Sequence, residues 1–184
     1  MSDVPDGSYV NPRGIPQAPF VQKVEDYVKS RDQVEPMIKK FQEMIQKYKY
    51  MEVTLSRRLG AIREKIPDLS KNLEMVKFLK SKQGTDEPVT TNYELNDTLY
   101  AQATVDAPEV VYLWLGANVM LEYKIDEAIT MLEGKLAKAQ ETEKFCEEDL
   151  DFLRENITVL EVNSARLYNW EIQKRRQEKE ENDS

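Results

Sequence analysis

The sequence predicts a mainly α chain with a small β part: a long antiparallel two-helix coiled coil with two β-hairpins between the helices. Three observations carry this expectation. Two apolar stripes repeat at alternating steps of three and four residues. Four short β-rich segments lie between them, and the two striped segments carry opposite net charge.

The first stripe runs Ile38, Phe41, Ile45, Tyr48, Glu52, Leu55, Leu59, Ile62, Ile66, Leu69, Leu73 and Val76 without a slip. Glu52 alone departs from the apolar pattern, which marks the a and d seam of a coiled coil sustained over several heptads. Pro67 lies inside the stripe without shifting its frame, so a kink is expected rather than an end. Glu35-Pro36 marks a break or a fresh helix start. Phe20–Ser30 has Val21, Val24, Tyr27 and Val28 at helical spacing and is expected to be a short helix.

The second stripe runs Ile125, Ile129, Leu132, Leu136, Ala139, Glu143, Cys146, Leu150, Leu153, Ile157, Leu160, Ser164, Leu167 and Glu171, and no proline interrupts it. At 1.5 Å per residue each helix should reach on the order of 70–85 Å. Between the stripes, Val89–Leu95, Leu99–Val105, Val111–Leu115 and Val119–Tyr123 are rich in β-branched and aromatic residues. Asn96-Asp97 joins the first two, Gly116-Ala117-Asn118 joins the second two, and Asp106-Ala107-Pro108 separates the pairs, giving two hairpins. Residues 1–19 carry four prolines and almost no apolar periodicity, so disorder is expected there. A single domain is expected over 20–184: N-terminal helices over 20–83, hairpins over 88–123 and a C-terminal helix over 125–180.

The hairpins return the chain to where it left the first helix, so the helices should run antiparallel. Residues 39–82 hold 12 Lys+Arg against 5 Asp+Glu, and residues 125–184 hold 9 against 16. Opposite charges beside complementary seams select partner and orientation; the competing account is two solvated faces whose totals happen to match. With Lys82 opposite Leu121, neighbouring residues should have numbers that add to about 203.

Composition narrows the function classes. The sequence has no histidine, which removes the commonest general base and metal ligand. No catalytic residues, metal site or cofactor are expected. Gly134-Lys135 lies mid-helix without the upstream glycine of a phosphate-binding loop. Glu147-Glu148-Asp149 and Asp151 read as a solvated helix face, and Lys174-Arg175-Arg176 as a solubilising helix end. A net charge of −8 argues against nonspecific nucleic-acid binding. No apolar run approaches the roughly 20 residues that span a bilayer, and the N-terminus lacks a signal-peptide core. The single Cys146 points to a reducing compartment and reads as a small buried hydrophobe, unreactive until the coil opens.

The hairpins carry apolar side chains on both strand faces at Leu113-Trp114-Leu115 and Val119-Met120-Leu121. A hairpin buried on one face would alternate with polar residues, and isolated hairpins are marginal in water. Leu95, Leu99, Leu113, Trp114, Leu115, Val119, Met120, Leu121 and Tyr123 are therefore candidates for an interface between subunits. The alternative is a small self-contained sheet packed on the end of the coil.

The residues Arg13-Gly-Ile-Pro-Gln-Ala-Pro-Phe20, Lys47-Tyr-Lys-Tyr-Met51, Ile66-Pro-Asp-Leu69, Leu113-Trp-Leu-Gly-Ala-Asn-Val-Met-Leu-Glu-Tyr123, Asp149-Leu-Asp-Phe-Leu-Arg154 and Glu161-Val-Asn-Ser-Ala-Arg-Leu-Tyr-Asn-Trp170 span most of the chain. Together they resemble the α-type subunits of eukaryotic prefoldin. The resemblance implies a hetero-hexamer of two α-type and four β-type chains, with the hairpins in a central double barrel. It implies ATP-independent capture of unfolded proteins, notably actin and tubulin, and their delivery to the cytosolic chaperonin. The expected compartment is the cytoplasm, with a nuclear role left open.

In the antiparallel register the end of the coil far from the hairpins combines residues 20–45 with 158–183. Phe20, Val24, Tyr27, Val28, Met37, Leu167, Tyr168, Trp170 and Ile172 are its candidate client-binding residues. One such end offers on the order of a few hundred Å² of apolar surface, so a single contact is weak. Six around a cavity would add avidity, and Met37 and Met44 would adapt to varied partners. For these aromatics packing within the chain competes with client contact, and Trp170 against the Phe20–Ser30 segment is the clearest case. A structural or adaptor coiled coil that tethers specific folded partners is the alternative function.

Overall fold

The computed structural model describes residues 9–84, 88–106 and 108–182. Two single 3-10 turns, Val24–Asp26 and Arg31–Gln33, precede α1 (Val34–Lys82). Four strands follow, β1 (Val89–Asn96), β2 (Leu99–Val105), β3 (Val110–Gly116) and β4 (Val119–Lys124), and then α2 (Ile125–Asn182). The fold class is the expected one, two long helices with two antiparallel hairpins between them. Ala107, in the segment expected to separate the hairpins, lies outside the described residues.

Local chemistry sets the ends of α1. Gln33 Oε1 accepts the Lys29 backbone N–H at 2.9 Å, and Asp32 adds negative charge where the helix dipole favours it. Pro36 falls in the first turn, where a missing N–H costs no helical hydrogen bond. The helix continues through Pro67. Lys80 and Lys82 sit in the last turn, and Gly84 beyond it takes φ +79°, the left-handed conformation that ends many helices.

The chain divides into two units, Met1–Gly60 with Lys144–Ser184, and Ala61–Glu143. In the first, Phe41, Leu153, Leu160 and Leu167 are fully buried and pack with Met37 and Tyr48. Ion pairs join Glu52 to Arg154 at 3.1 Å, Lys49 to Glu161 at 3.4 Å and Arg31 to Glu178 at 2.6 Å. Residue numbers fall on one side as they rise on the other, so the helices are antiparallel here. In the second unit Leu73, Val76, Ile125, Ala128 and Leu132 form the core. Lys80 pairs with Asp126, Lys77 with Glu133 and Arg63 with Glu143, again antiparallel. All of these pairs are exposed enough that each contributes only about 0–1 kcal/mol; the buried seams carry the stability.

Two expectations are corrected in detail. The numbers of these ion-paired residues add to 206–210 rather than 203. The expected register was anchored on Leu121, whereas α2 begins four residues later, at Ile125. The Phe20–Ser30 segment is not a two-turn helix either; its only helical element is the single turn Val24–Asp26.

Residues 9–19 also differ from the expectation of disorder; residues 1–8 lie outside the described residues. Val10 pairs with Pro16 in an antiparallel bridge. Ile15, Ala18, Val21 and Val24 are buried, and the residues between them are exposed apart from Pro19. Burial recurs at every third residue although Val24–Asp26 is the one helical turn of this run.

In hairpin β3–β4, Ala117 and Asn118 have φ +47° and +61°, the left-handed pair of the turn type that matches strand twist. β4 ends at Lys124 and α2 starts at Ile125 with no intervening loop.

Leu160→Ala should lower the unfolding free energy by about 2–5 kcal/mol, the usual cost of a cavity at a fully buried leucine, read as a denaturation midpoint shift by far-UV circular dichroism. Cys146 is buried; thiol reagents should label it slowly in the native protein and at the rate of a free thiol once the helices are unfolded.

Candidate protein-binding surfaces

Strand alternation decides what the hairpins bury. In β3–β4, Val111 pairs with Tyr123 and Leu113 with Leu121. Val111, Leu113 and Tyr123 pack on the helical core of their unit. Tyr112, Trp114 and Met120 point the other way, and Trp114 is 60% exposed. Leu115, Val119 and Leu121 lie towards the turn and stay exposed although they belong to the inner face. In β1–β2, Tyr93, Leu95, Leu99 and Tyr100 are all exposed. Each sheet has only two strands, so every strand presents an unpaired edge.

Of the nine candidate interface residues, Leu113 and Tyr123 are partly covered and the other seven are exposed. Sequence reasoning missed Tyr93, Tyr100 and Tyr112; the signal was available, because Tyr93 lies two residues from Leu95 and Tyr112 two from Trp114, on the same strand faces. It also missed Met75 and Phe78, exposed residues beside the α1 seam. With Leu79, Val89 and Val105 they line a groove of about 810 Å³ between α1 and the first hairpin. Tyr112 Oη donates to the Glu122 carboxylate across the strands, which pushes the Tyr112 phenol pKa up.

In the other unit, residues 9–28 lie along α2 through polar contacts at every seventh α2 residue. Asn11 Nδ2 and Arg13 Nε donate to Asp149 Oδ1 at 2.7 and 2.6 Å, and this hydrogen bond is the main reason the Arg13 pKa is raised. Asn156 Oδ1 accepts the Ala18 N–H. Asn163 Oδ1 accepts the Val21 N–H at 3.0 Å, and its Nδ2 donates to Pro19 O at 2.6 Å. Trp170 Nε1 donates to Glu25 Oε1 at 2.9 Å. From α1, Tyr48 Oη donates to Pro16 O at 2.9 Å; burial pushes the Tyr48 phenol up, so it keeps the proton it donates.

This packing covers part of the candidate client-binding set. Val24, Val28, Met37 and Leu167 are buried within the chain's own core, because the N-terminal segment supplies the apolar partner that a client was expected to supply. Trp170 packs against that segment through Glu25. Tyr27, Trp170 and Ile172 are half-buried. Phe20, 49% exposed with the Arg166 guanidinium 4.8 Å from its ring centre, and Tyr168, 57% exposed, remain on the surface. Among the described residues no group of three or more His, Cys, Asp or Glu is placed to hold a metal ion, and no helix is long and apolar enough to cross a membrane.

A family model described as "Prefoldin subunit" matches residues 48–170, which contain the four strands and most of both helices. The chain belongs to the prefoldin family. Its relatives include prefoldin subunit 3 of Elsinoe fawcettii, 56% identical over 92% of this chain and 86% of the relative. Prefoldin subunit 3 of Saccharomyces cerevisiae is 48% identical over 90% of this chain and 87% of the relative. Prefoldin subunit 3 of Homo sapiens is 42% identical over 88% and 83%. Filamentous PFD from Methanocaldococcus jannaschii shares the fold at TM-score 0.51 and 20% identity, covering 66% of this chain and 98% of that one. The prefoldin fold thus accounts for the pair of two-stranded sheets with open edges between the helices.

In this prefoldin chain Trp114 pairs directly with Met120 on the outer hairpin face. Replacing both with serine should leave far-UV helicity unchanged and abolish stable association with other prefoldin chains, read as loss of the high-mass species in native mass spectrometry.

Proposed function

We propose that this chain is a holdase subunit of a hetero-hexameric prefoldin, assembled from two α-type and four β-type chains. It captures unfolded proteins such as actin and tubulin without ATP and passes them to the cytosolic chaperonin, in the cytoplasm. The observation that carries this reading is the pair of hairpins with apolar residues exposed on both faces and every edge unpaired. Such strands need neighbouring chains to complete them. Membership of the prefoldin family supports the same neighbours. Phe20 and Tyr168 are the client contacts at the surface of the unit that holds both chain ends, and Tyr27, Trp170 and Ile172 flank them. A single patch of this size binds weakly, and several in one assembly bind through avidity, which allows capture and release without a chemical energy source.

The test uses the assembled complex and dilution of unfolded actin into it, followed by light scattering without ATP. The wild-type complex should suppress aggregation, and Phe20→Ser with Tyr168→Ser should weaken suppression by about two- to tenfold while the hexamer persists. A complex that leaves unfolded proteins to aggregate but binds one folded partner at fixed stoichiometry would replace the holdase reading with the adaptor one.

A further inference from the structure

The N-terminal segment is held in a way that its own sequence does not require. Ile15, Ala18, Val21 and Val24 drop into the unit's core at every third residue. Asp149, Asn156, Asn163 and Trp170, seven residues apart on α2, meet residues 11–13, 18, 19–21 and 25 in order. Segment and helix run in the same direction over three heptads of α2.

What α2 recognises in the middle of this run is backbone. Asn156 takes the Ala18 N–H, Asn163 takes the Val21 N–H and the Pro19 carbonyl, and Arg166 Nη1 donates to the Val21 carbonyl at 2.6 Å. Asn156 and Asn163 are 3% and 0% exposed, so without an occupant they would be polar groups opened in an apolar groove. The side-chain requirement is loose: a small or β-branched apolar residue at every third position. A groove that reads main chain and asks only for spaced apolar residues suits extended peptides of varied sequence.

We propose that this groove, floored by Phe41, Leu160 and Leu167 and read out by Asn156 and Asn163, is an acceptor for extended polypeptide. Residues 9–28 occupy it in cis as a competitor of an unfolded client segment that carries an apolar residue every third position. The client's identity rests on the holdase reading above; the groove itself does not. Displacement of residues 9–28 uncovers Val24's and Val28's partners on the helices, so the residues that the fold buries become a contact surface only after exchange. Capture then has two stages: a weak encounter at Phe20 and Tyr168, and a firmer one in the groove.

A fluorescently labelled synthetic peptide of residues 9–28 tests this by anisotropy, against complexes assembled with the full chain and with a chain lacking residues 1–28. The peptide should bind the shortened complex saturably and at least about tenfold more tightly than the full one, since the cis segment is present at high effective concentration. Excess unlabelled peptide should lower capture of unfolded actin by the shortened complex. No saturable binding, or equal binding of a peptide whose apolar residues are moved off the three-residue spacing, overturns the proposal. Peptide binding that leaves capture of actin unchanged overturns the groove as a client acceptor while the holdase reading stands, whereas full and shortened complexes that both let actin aggregate sink the holdase reading. If the shortened chain does not assemble, Val21→Ser with Val24→Ser in the full chain decides, since these weaken the cis segment and leave the groove intact: faster amide exchange at Ala18 should accompany stronger client capture, and unchanged or weaker capture with faster exchange overturns the proposal.

Discussion

Neither long helix of this chain is stable by itself. Each carries an apolar stripe that must leave water, and among the described residues the stripe of matching phase is on the other helix. In each unit apolar side chains of the two helices share a core, and ion pairs such as Lys49–Glu161 and Lys77–Glu133 lie at the margins, with Glu52–Arg154 in the opposite sense. The seam sets the direction of the pairing and the flanking charges favour it. The hairpins and the N-terminal segment take their positions from it, because both pack on surfaces that exist only once the helices are together.

Polar residues then divide the helix surface by role. The ion pairs at the margin are exposed and individually weak. Asp149, Asn156 and Asn163 are few and buried, and each is satisfied by the segment laid over it. A buried amide left without partners costs more than a made hydrogen bond contributes, so these residues favour an occupied groove over an empty one, whichever chain supplies the occupant.

Much of the architecture could be read from residue spacing alone. The heptad steps from Ile38 to Val76 and from Ile125 to Glu171 survive as the two seams, since a period of 3.5 has few interpretations. Strand positions were legible because β-branched and aromatic runs were bounded by Asn96-Asp97 and Gly116-Ala117-Asn118. The N-terminal segment was not. Val21 and Val24 stood at helical spacing with Tyr27 and Val28 and read as part of a short helix, and the four prolines of residues 1–19 pointed away from an ordered role for Ile15 and Ala18. Asn156 and Asn163 carry no signal in the sequence beyond their seven-residue spacing with Asp149 and Trp170. Val24, Val28, Met37 and Leu167 are buried in this fold: apolarity says that a side chain seeks cover and does not say which chain provides it.

The second hairpin passes directly from Lys124 into Ile125. A strand that becomes a helix without a linker cannot swivel about the junction, so the azimuth of β3–β4 is geared to the azimuth of the first turn of α2. Any neighbour that clasps β3–β4 therefore also orients the helical core of its unit around the long axis, and torque applied at the sheet is felt at Ala128 and Leu132 without slack.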